Sequence, residues 1–377
     1  MIQAIKYELK PNKTQQKQIK MFCGSCRFVY NIMLERKIAA YKTDKTVLSE
    51  FDLINQLIPL KEEYSFLKDC PSQSLQQAIH NLNQAYIRFF KQGNGFPKFK
   101  KKGYKDSFKI PRICKIDFNK WTVNIAKLGS TKIYKGNNKQ IKGIIKSYTV
   151  SYYSNTDRYY ISIIYETCNK SKLNNGKCVG IDLGVKDFAV LSDGTVFGNP
   201  KYFKSNLKKV QTLQKAISRK FKKDKPFEEQ SNSYKKLIKR YAKLQEHIAF
   251  QRKDYLHKVS SKISNNYSTV CVETLAIKKM LKNPYLAQAI SDCGWGMFIS
   301  MLENKCDKLI KIDKYFASSQ LCSVCGYKNV EVKDLNLRKW TCPQCGTTHL
   351  RDLNAAKNIE REGLSLCEHK TSKNVCS

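Results

Sequence analysis

Apolar and polar positions alternate from residue 2 to residue 9, the period of a half-buried strand. Pro11 and Asn12 break the run. Asn12, with Gln15 three residues on, predicts a capping box at the start of a helix. Ile19, Phe22, Phe28, Val29, Tyr30 and Met33 carry that helix forward. Leu75, Ile79, Leu82, Tyr86 and Phe89 recur at helical spacing and predict a second helix over 72–92. Its other face offers Gln76, Gln77, Asn81 and Asn83, amides that can read base edges but are more often solvated surface. Two β-rich runs within 145–166 flank the polar turn 154–157 and predict a hairpin. With strand 2–9 they predict a small β-barrel or sheet into which the helices are inserted. The polar stretch 169–177 is the best domain boundary.

Beyond that stretch the pattern restarts. A strand holding Asp182 is followed by a hairpin turned at Asp193-Gly194. Residues 201–225 carry ten Lys or Arg against a single acid, Asp224. Tyr234, Leu237, Tyr241, Leu244, Ile248, Tyr255, Val259 and Ile263 predict a long helix, joined near Pro226 to the one before it. Residues 267–274 read as a buried strand, 295–310 as a helix, and 352–362 as the final helix. No pattern follows Gly363, which predicts a loose tail over 363–377.

Charge changes the picture. The 377 residues carry 69 Lys+Arg against 31 Asp+Glu, a formal net charge of +38. Apolar content of 41% is enough for real cores, so this excess marks a polyanion partner rather than disorder. Nucleic acid fits best, since neutralised phosphates release counterions. No apolar run approaches the ~20 residues of a membrane span, and the first ten residues lack the apolar stretch of a signal peptide. A cytoplasmic, nucleoid-associated protein with no membrane partner is expected. Between Gly93 and Pro111, six lysines (Lys98, Lys100, Lys101, Lys102, Lys105, Lys109) alternate with Phe96, Phe99, Tyr104 and Phe108. The lysines suit phosphates, and most of the aromatics are expected to be structural.

Fifteen cysteines raise the question of metal or disulfide. Cys178, Cys271 and Cys293 lie in apolar stretches and read as buried thiols, as does the lone pair Cys23 and Cys26. Cys322 and Cys325, then Cys342 and Cys345, are two CxxC pairs separated by 16 residues, with Gly326 and Gly346 placed for the tight turns. That spacing predicts a closed, structural Zn²⁺ site in a zinc ribbon, with His349 just outside it.

Three acids stand in telling contexts. Asp182 interrupts the apolar run 179–184, Glu273 ends the run 269–273, and Asp352 opens the last helix. Each has an ordinary reading: a strand-end acid, a partner for a surface lysine, a helix cap. Together they suit phosphodiester hydrolysis, which needs several carboxylates around Mg²⁺ or Mn²⁺. Asp187 flanks the first strand and Asp193 belongs to its turn, so neither is expected in the site.

At these residues the chain resembles the TnpB family, transposon-encoded nucleases related to type V CRISPR effectors. The resemblance runs through Arg27-Phe28-Val29-Tyr30-Asn31, Gly95-Phe96-Pro97-Lys98-Phe99, Asp106-Ser107-Phe108 and Gly180-Ile181-Asp182-Leu183-Gly184. It continues in Ile290-Ser291-Asp292-Cys293-Gly294-Trp295, the run 318–326, and Arg351-Asp352-Leu353-Asn354-Ala355-Ala356-Lys357-Asn358-Ile359. It implies an RNA-guided endonuclease that cuts double-stranded DNA beside a short motif, with a guide RNA from the transposon end. The fold class implied is multidomain, α/β and α+β. A wedge β-barrel occupies 1–11 and 96–170, with a helical recognition domain inserted over 12–95. An RNase H-like RuvC domain follows over 171–315 and 348–362, with a zinc ribbon over 316–347. Asp182, Glu273 and Asp352 would be the catalytic Mg²⁺ ligands, and Cys322, Cys325, Cys342 and Cys345 would hold Zn²⁺. One departure stands out: Leu350 occupies a position where the family often has an acid. The alternatives are a nuclease-inactive RNA-guided repressor and a transposase or strand-transfer accessory.

Overall fold

The computed structural model describes residues 2–136, 140–167, 176–334 and 336–373, with side chains of the last helix described to residue 367. The chain divides into two compact units, Met1–Lys170 and Ser171–Ser377. Most of the expected polar linker, 168–175, lies outside the described residues.

The first unit opens with β1 (Ile2–Lys10) and four helices, α1 (Lys13–Asp44), α2 (Glu50–Asn55), α3 (Leu57–Glu63) and α4 (Ser72–Gln92). Six strands follow: β2 (Lys105–Ile110), β3 (Ile116–Asp117), β4 (Thr122–Ile125), β5 (Gly129–Ile133), β6 (Ile144–Tyr153) and β7 (Arg158–Glu166). The capping box forms as expected: Gln15 N donates to Asn12 Oδ1 at 2.8 Å, and Asn12 N donates to Gln15 Oε1 at 3.1 Å. The strands make one antiparallel sheet in the order β2-β6-β7-β1-β5-β4-β3. The expected barrel is not found: among the described residues the sheet is open, ending at β2 and β3. Helices pack on the sheet instead. Ile19, Phe22, Met33, Leu75 and Ile79 share one core with Tyr7, Phe108, Val150 and Ile161, and Phe22 meets Phe108 edge-on at 5.5 Å.

The aromatics of 93–111 depart from expectation. Only Phe108 is a core residue; Phe96, Phe99 and Tyr104 are exposed. Phe96 meets Tyr86 and Phe89 edge-on beside the end of α4, where the chain has left regular structure and offers nothing to cover it.

The second unit holds β8 (Cys178–Asp182), β9 (Asp187–Leu191), β10 (Val196–Gly198), α5 (Tyr202–Ser205), α6 (Leu207–Lys220) and α7 (Asn232–Asn266). Then come β11 (Thr269–Glu273), α8 (Ile277–Met280), α9 (Ala287–Cys293), α10 (Trp295–Lys305) and β12 (Lys308–Ile312). The ribbon strands β13 (Lys339–Thr341) and β14 (Thr348–Leu350) precede α11 (Arg351–Lys373). The main sheet runs β10-β9-β8-β11-β12; β8, β9 and β10 pair antiparallel, while β11 is parallel to both β8 and β12.

Side chains of a strand alternate between faces. Val179, Ile181, Val270 and Val272 point into a core with Leu256, Val259, Trp295 and Phe298 of α7 and α10. Gly180 and Cys271, on the other face, lie against α11. A Cβ on Gly180 would stand 2.0 Å from Ala356 O, and one on Gly363 would stand 2.3 Å from Cys271 Sγ. One glycine on the strand and one on the helix thus let the two backbones approach closely.

Two boundaries differ from the sequence reading. The predicted helix over 295–310 ends at Lys305, and its last residues belong to β12, whose short Lys-Leu-Ile-Lys-Ile alternation was the missed signal. The loose tail expected from Gly363 is instead helix through Lys373. Gly363 is there for its small size against Cys271, not as a helix stop. Residues 374–377 lie outside the described residues.

Candidate active site and metal centre

Ile181 pairs with Val272 in the parallel register of β8 and β11, so Asp182 and Glu273 leave neighbouring strands side by side at the same end. By strand alternation both carboxylates belong to the face that α11 covers. Asp352 sits in the first turn of α11, which packs on β8, β11 and β12. The three acids predicted from sequence are therefore brought to one end of one sheet face.

Their electrostatics report the gathering. Burial, then the charges of Glu273 and Asp352, push the Asp182 carboxyl from 3.8 up to about 7. The guanidiniums of Arg351 and Arg338 oppose that rise without cancelling it. Like charges packed at a half-buried site favour the neutral acid unless cations offset them. Arg338 Nη1 lies 3.4 Å from Asp352 Oδ1, half-exposed. Arg351 is buried and donates to Asp334 O at 2.7 Å.

The two arginines were not singled out as site residues from sequence. Arg351 lies within one of the runs that carry the family resemblance, beside Asp352. Arg338 lies in the ribbon, 14 residues before Asp352, and no local pattern marks it. A cleft of about 260 Å³ beside them is lined by Asp187, Arg338, Leu350 and Asp352. Asp187, set aside from sequence, thus lies at the rim, and Leu350 is 60% exposed there. Asp193 stays in its turn, accepting from Thr195 N at 2.8 Å and from the Tyr267 hydroxyl.

The ribbon is built on two knuckles. Gly326 and Gly346 both have positive φ, +80° and +70°, which glycine adopts without steric cost. Their amides donate to Cys322 O and Cys342 O, each at 2.9 Å, and curl each CxxC so that both thiols face inward. The four sulfurs, Cys322, Cys325, Cys342 and Cys345, all lie within 4.8 Å of one another. Cys322–Cys345 and Cys325–Cys342 are 3.6 Å apart. Tetrahedral zinc with bonds of ~2.3 Å sets its sulfurs ~3.8 Å apart, so the donor set fits Zn²⁺. His349 is buried with Nε2 3.0 Å from Cys322 Sγ, touching a ligand sulfur and completing no fifth position. Among the described residues no other group of His, Cys, Asp and Glu gathers so tightly.

In the first unit, the predicted amide face of α4 is only partly free. Gln77 is buried and donates to Asn81 at 3.3 Å, and Asn83 donates to Glu50 at 2.7 Å. Gln76 and Asn81 remain exposed. They stand near a cleft of about 560 Å³ lined by Gln77, Asn81, Lys100, Lys101, Lys105 and Lys109, among others, and closed on one side by the Arg27–Asp106 pair at 3.1 Å. Cys23 and Cys26 are core thiols, as expected.

Residues 161–284 match the OrfB_IS605 family, described as "Probable transposase". Residues 295–359 match a "Cas12f1-like, TNB domain". Residues 1–46 match a "Helix-turn-helix domain", although here they form one strand and one 32-residue helix. The chain is 33% identical to "Putative RNA-guided DNA endonuclease InsQ" of Escherichia coli (strain K12), over 96% of this chain and 92% of that one. It is 31% identical to a "Putative RNA-guided DNA endonuclease" of Streptomyces pristinaespiralis, over 96% and 89%. A solved structure of a Cas12f1-sgRNA-target DNA complex aligns over 96% of this chain and 99% of that one, at 14% identity and a TM-score of only 0.35. On the strength of the two whole-length relatives, the chain belongs to the TnpB family of the OrfB_IS605 type.

Proposed function

We propose that this protein is an RNA-guided DNA endonuclease of a transposable element, cutting double-stranded DNA by metal-dependent hydrolysis at Asp182, Glu273 and Asp352. The observation that carries the reading is the convergence of the three acids: the parallel register of β8 and β11 sets Asp182 beside Glu273, and α11 brings Asp352 to them, so that burial and the two other acids raise the Asp182 pKa. Such crowding destabilises the metal-free chain and is relieved by divalent cations, a signature of a functional site. The sheet order β10-β9-β8-β11-β12, with its three antiparallel strands followed by two parallel ones, supports an RNase H-like, RuvC-type reading of the second unit. The antiparallel sheet of the first unit with its helices packed on it supports a wedge and recognition role there.

Bound Mg²⁺ or Mn²⁺ would activate water and stabilise the leaving oxygen of the phosphodiester. The chain's own residues prepare that chemistry. Asp182 and Glu273 are fixed by the sheet, and Asp352 is brought to them by α11. Arg338 and Arg351 add positive charge beside the acids, where a scissile phosphate has to come. The net charge of +38 supports a guide RNA and a DNA duplex as partners. Lys100, Lys101, Lys105 and Lys109 around the α4 cleft support duplex contact next to the target. Among the described residues, no helix is long and apolar enough to cross a membrane. We place the protein at the nucleoid, where its substrate is.

The test uses ribonucleoprotein purified with its co-bound RNA, sequenced to supply the guide, and a matched duplex target in Mg²⁺. Wild type is expected to cut, and Asp182→Ala to bind RNA and DNA without cutting. Cutting by Asp182→Ala at the wild-type rate would refute the site. Binding without cutting by the wild type would favour a guided repressor, and joined DNA ends would favour strand transfer.

A further inference from the structure

The run 318–323 carries chemistry that neither the zinc site nor the three acids account for. Ser318 is buried, and its hydroxyl donates to Glu273 Oε1. The same residue's carbonyl accepts from Asn358 Nδ2 at 2.8 Å. Three residues on, Leu321 O accepts from Asn358 Nδ2 and from Asn354 Nδ2, each at 2.7 Å. Ser323 N donates to Asn354 Oδ1 at 2.9 Å. Between Leu321 and Ser323 stands Cys322, a zinc ligand of the first knuckle.

Asn354 and Asn358 are one turn apart on α11, so they share a face. Both are almost wholly buried, at 1% and 0% exposure. Buried amides need partners; here their partners are the backbone groups of Ser318, Leu321 and Ser323, a segment whose own pairing is limited to the Leu321–Lys328 bridge and its flanking bonds. The run is therefore a strap fixed at three places. Its far end is held by the metal-binding knuckle, its middle by α11, and its near end reaches Glu273.

We propose that Ser318 is a positioning residue for Glu273, and that the zinc knuckle and the two asparagines exist in part to hold it there. This rests on the reading of Glu273 as a ligand for the catalytic ions. A glutamate at a strand end has three side-chain torsions, and ordering such a chain costs conformational entropy. One hydrogen bond to Oε1 fixes the plane of the carboxylate before an ion arrives and leaves Oε2 as the free ligand oxygen. Partners of this kind, behind a ligand, are worth ~10–100-fold in metal affinity or activity. Cys322 thereby bears on the hydrolytic centre without touching it: losing its zinc frees the strap, and with it Ser318.

The experiment titrates Mn²⁺ calorimetrically into the zinc-loaded full chain and measures cutting against Mg²⁺ concentration in parallel. Ser318→Ala is expected to weaken Mn²⁺ binding about tenfold or more and to raise the half-activating Mg²⁺ concentration alike. Zinc content should stay at the wild-type level, and Ser318→Thr, which keeps a hydroxyl, should restore both readouts. A residue with a merely structural role would lower the melting temperature and leave Mn²⁺ affinity alone. Unchanged Mn²⁺ affinity in a zinc-loaded Ser318→Ala overturns the proposal. Should Ser318→Ala lose its zinc, the titration of Ser318→Thr decides, and weakened binding there overturns it. Asp182→Ala separates the two readings. If it loses Mn²⁺ while Ser318→Ala does not, only the role of Ser318 fails; if it binds Mn²⁺ and cuts normally, the carboxylate reading fails first.

Discussion

Replacing Gly180 with alanine tests whether the approach of α11 to the sheet builds the site. The added Cβ would stand 2.0 Å from Ala356 O, 2.6 Å from Glu360 N and 2.9 Å from Glu360 Cβ. Two of these three atoms are helix backbone, which no rotamer change can move. Ordinary contact begins near 3.4 Å, so the helix must recede by about 1.4 Å, the difference from 2.0 Å. Overpacking of this kind costs ~1–3 kcal/mol, offset by ~0.4–1 kcal/mol from the stiffer unfolded chain. A net loss of ~2 kcal/mol lowers the melting temperature by roughly 4–8 °C for a unit of this size. Function should suffer more than stability. Asp352 is one turn before Ala356, and Asp182 is two residues beyond Gly180 on the same strand face. A displacement of ~1 Å at a reacting centre costs ~100-fold. Single-turnover cutting of a guided target is thus expected to slow by about two orders of magnitude, with RNA binding retained. A Gly180→Ala chain that melts with the wild type and cuts within threefold of it, roughly the accuracy of such comparisons, would refute the reasoning.

Three further outcomes are expected. Asp182 holds its proton more tightly folded than unfolded, so the stability linked to it is full below about pH 3.8 and is lost as pH rises to about 7. Thermal melting in Mg²⁺-free buffer should show this decline at ~1.4 kcal/mol for each pH unit across that window; Asp182→Asn should remove the decline, and a wild-type slope in that variant would refute the assignment. Arg338→Ala removes one of two cations that hold Asp182 down, so in Mg²⁺-free melting the pH window of decline should extend upward while stability changes by no more than ~1 kcal/mol, the pair being half-exposed; a window that stays or moves down would count against a role for Arg338. Cys342→Ser takes one of four thiolates from the zinc, and metal analysis should find well under one zinc per chain, with protease sensitivity appearing within 316–347 and cutting lost; full zinc retention would exclude the four-thiolate site.

Local chemistry was legible wherever a residue's role depends on its near neighbours. The capping box of Asn12 and Gln15 needs three residues' separation, and it forms. The zinc knuckles need two cysteines and a glycine in five residues, and they fold as the spacing implied. The long helix over 233–263 followed from periodicity, and the hairpin over 145–166 from two β-rich runs flanking a polar turn. Strand β12 was lost because five residues of alternation after a helical run carry too little signal. The barrel failed for a different reason: whether a sheet closes on itself depends on what covers its apolar face, and α1 and α4 pack there through Phe22, Ile79 and their neighbours.

The sequence by itself singled out the residues proposed to carry chemistry: three acids in apolar or helix-start contexts, four thiols at ligand spacing, and a charge that suits a polyanion. Only the tertiary structure decided that these act together. Asp182 and Glu273 become neighbours through the parallel register of β8 and β11, a pairing 91 residues apart in the chain for Cys178 and Thr269, its first partners. Asp352 joins them because Gly180 and Gly363 let a helix lie on the sheet at backbone distance. Ser318 reaches Glu273 because the asparagines of α11 bind the run 318–323 in place, and Arg338, which no local pattern marks, comes from the ribbon to Asp352. Spacing along a chain records contacts within a few residues. Contacts across it depend on which faces are buried and how closely backbones can pack, and those are properties of the fold.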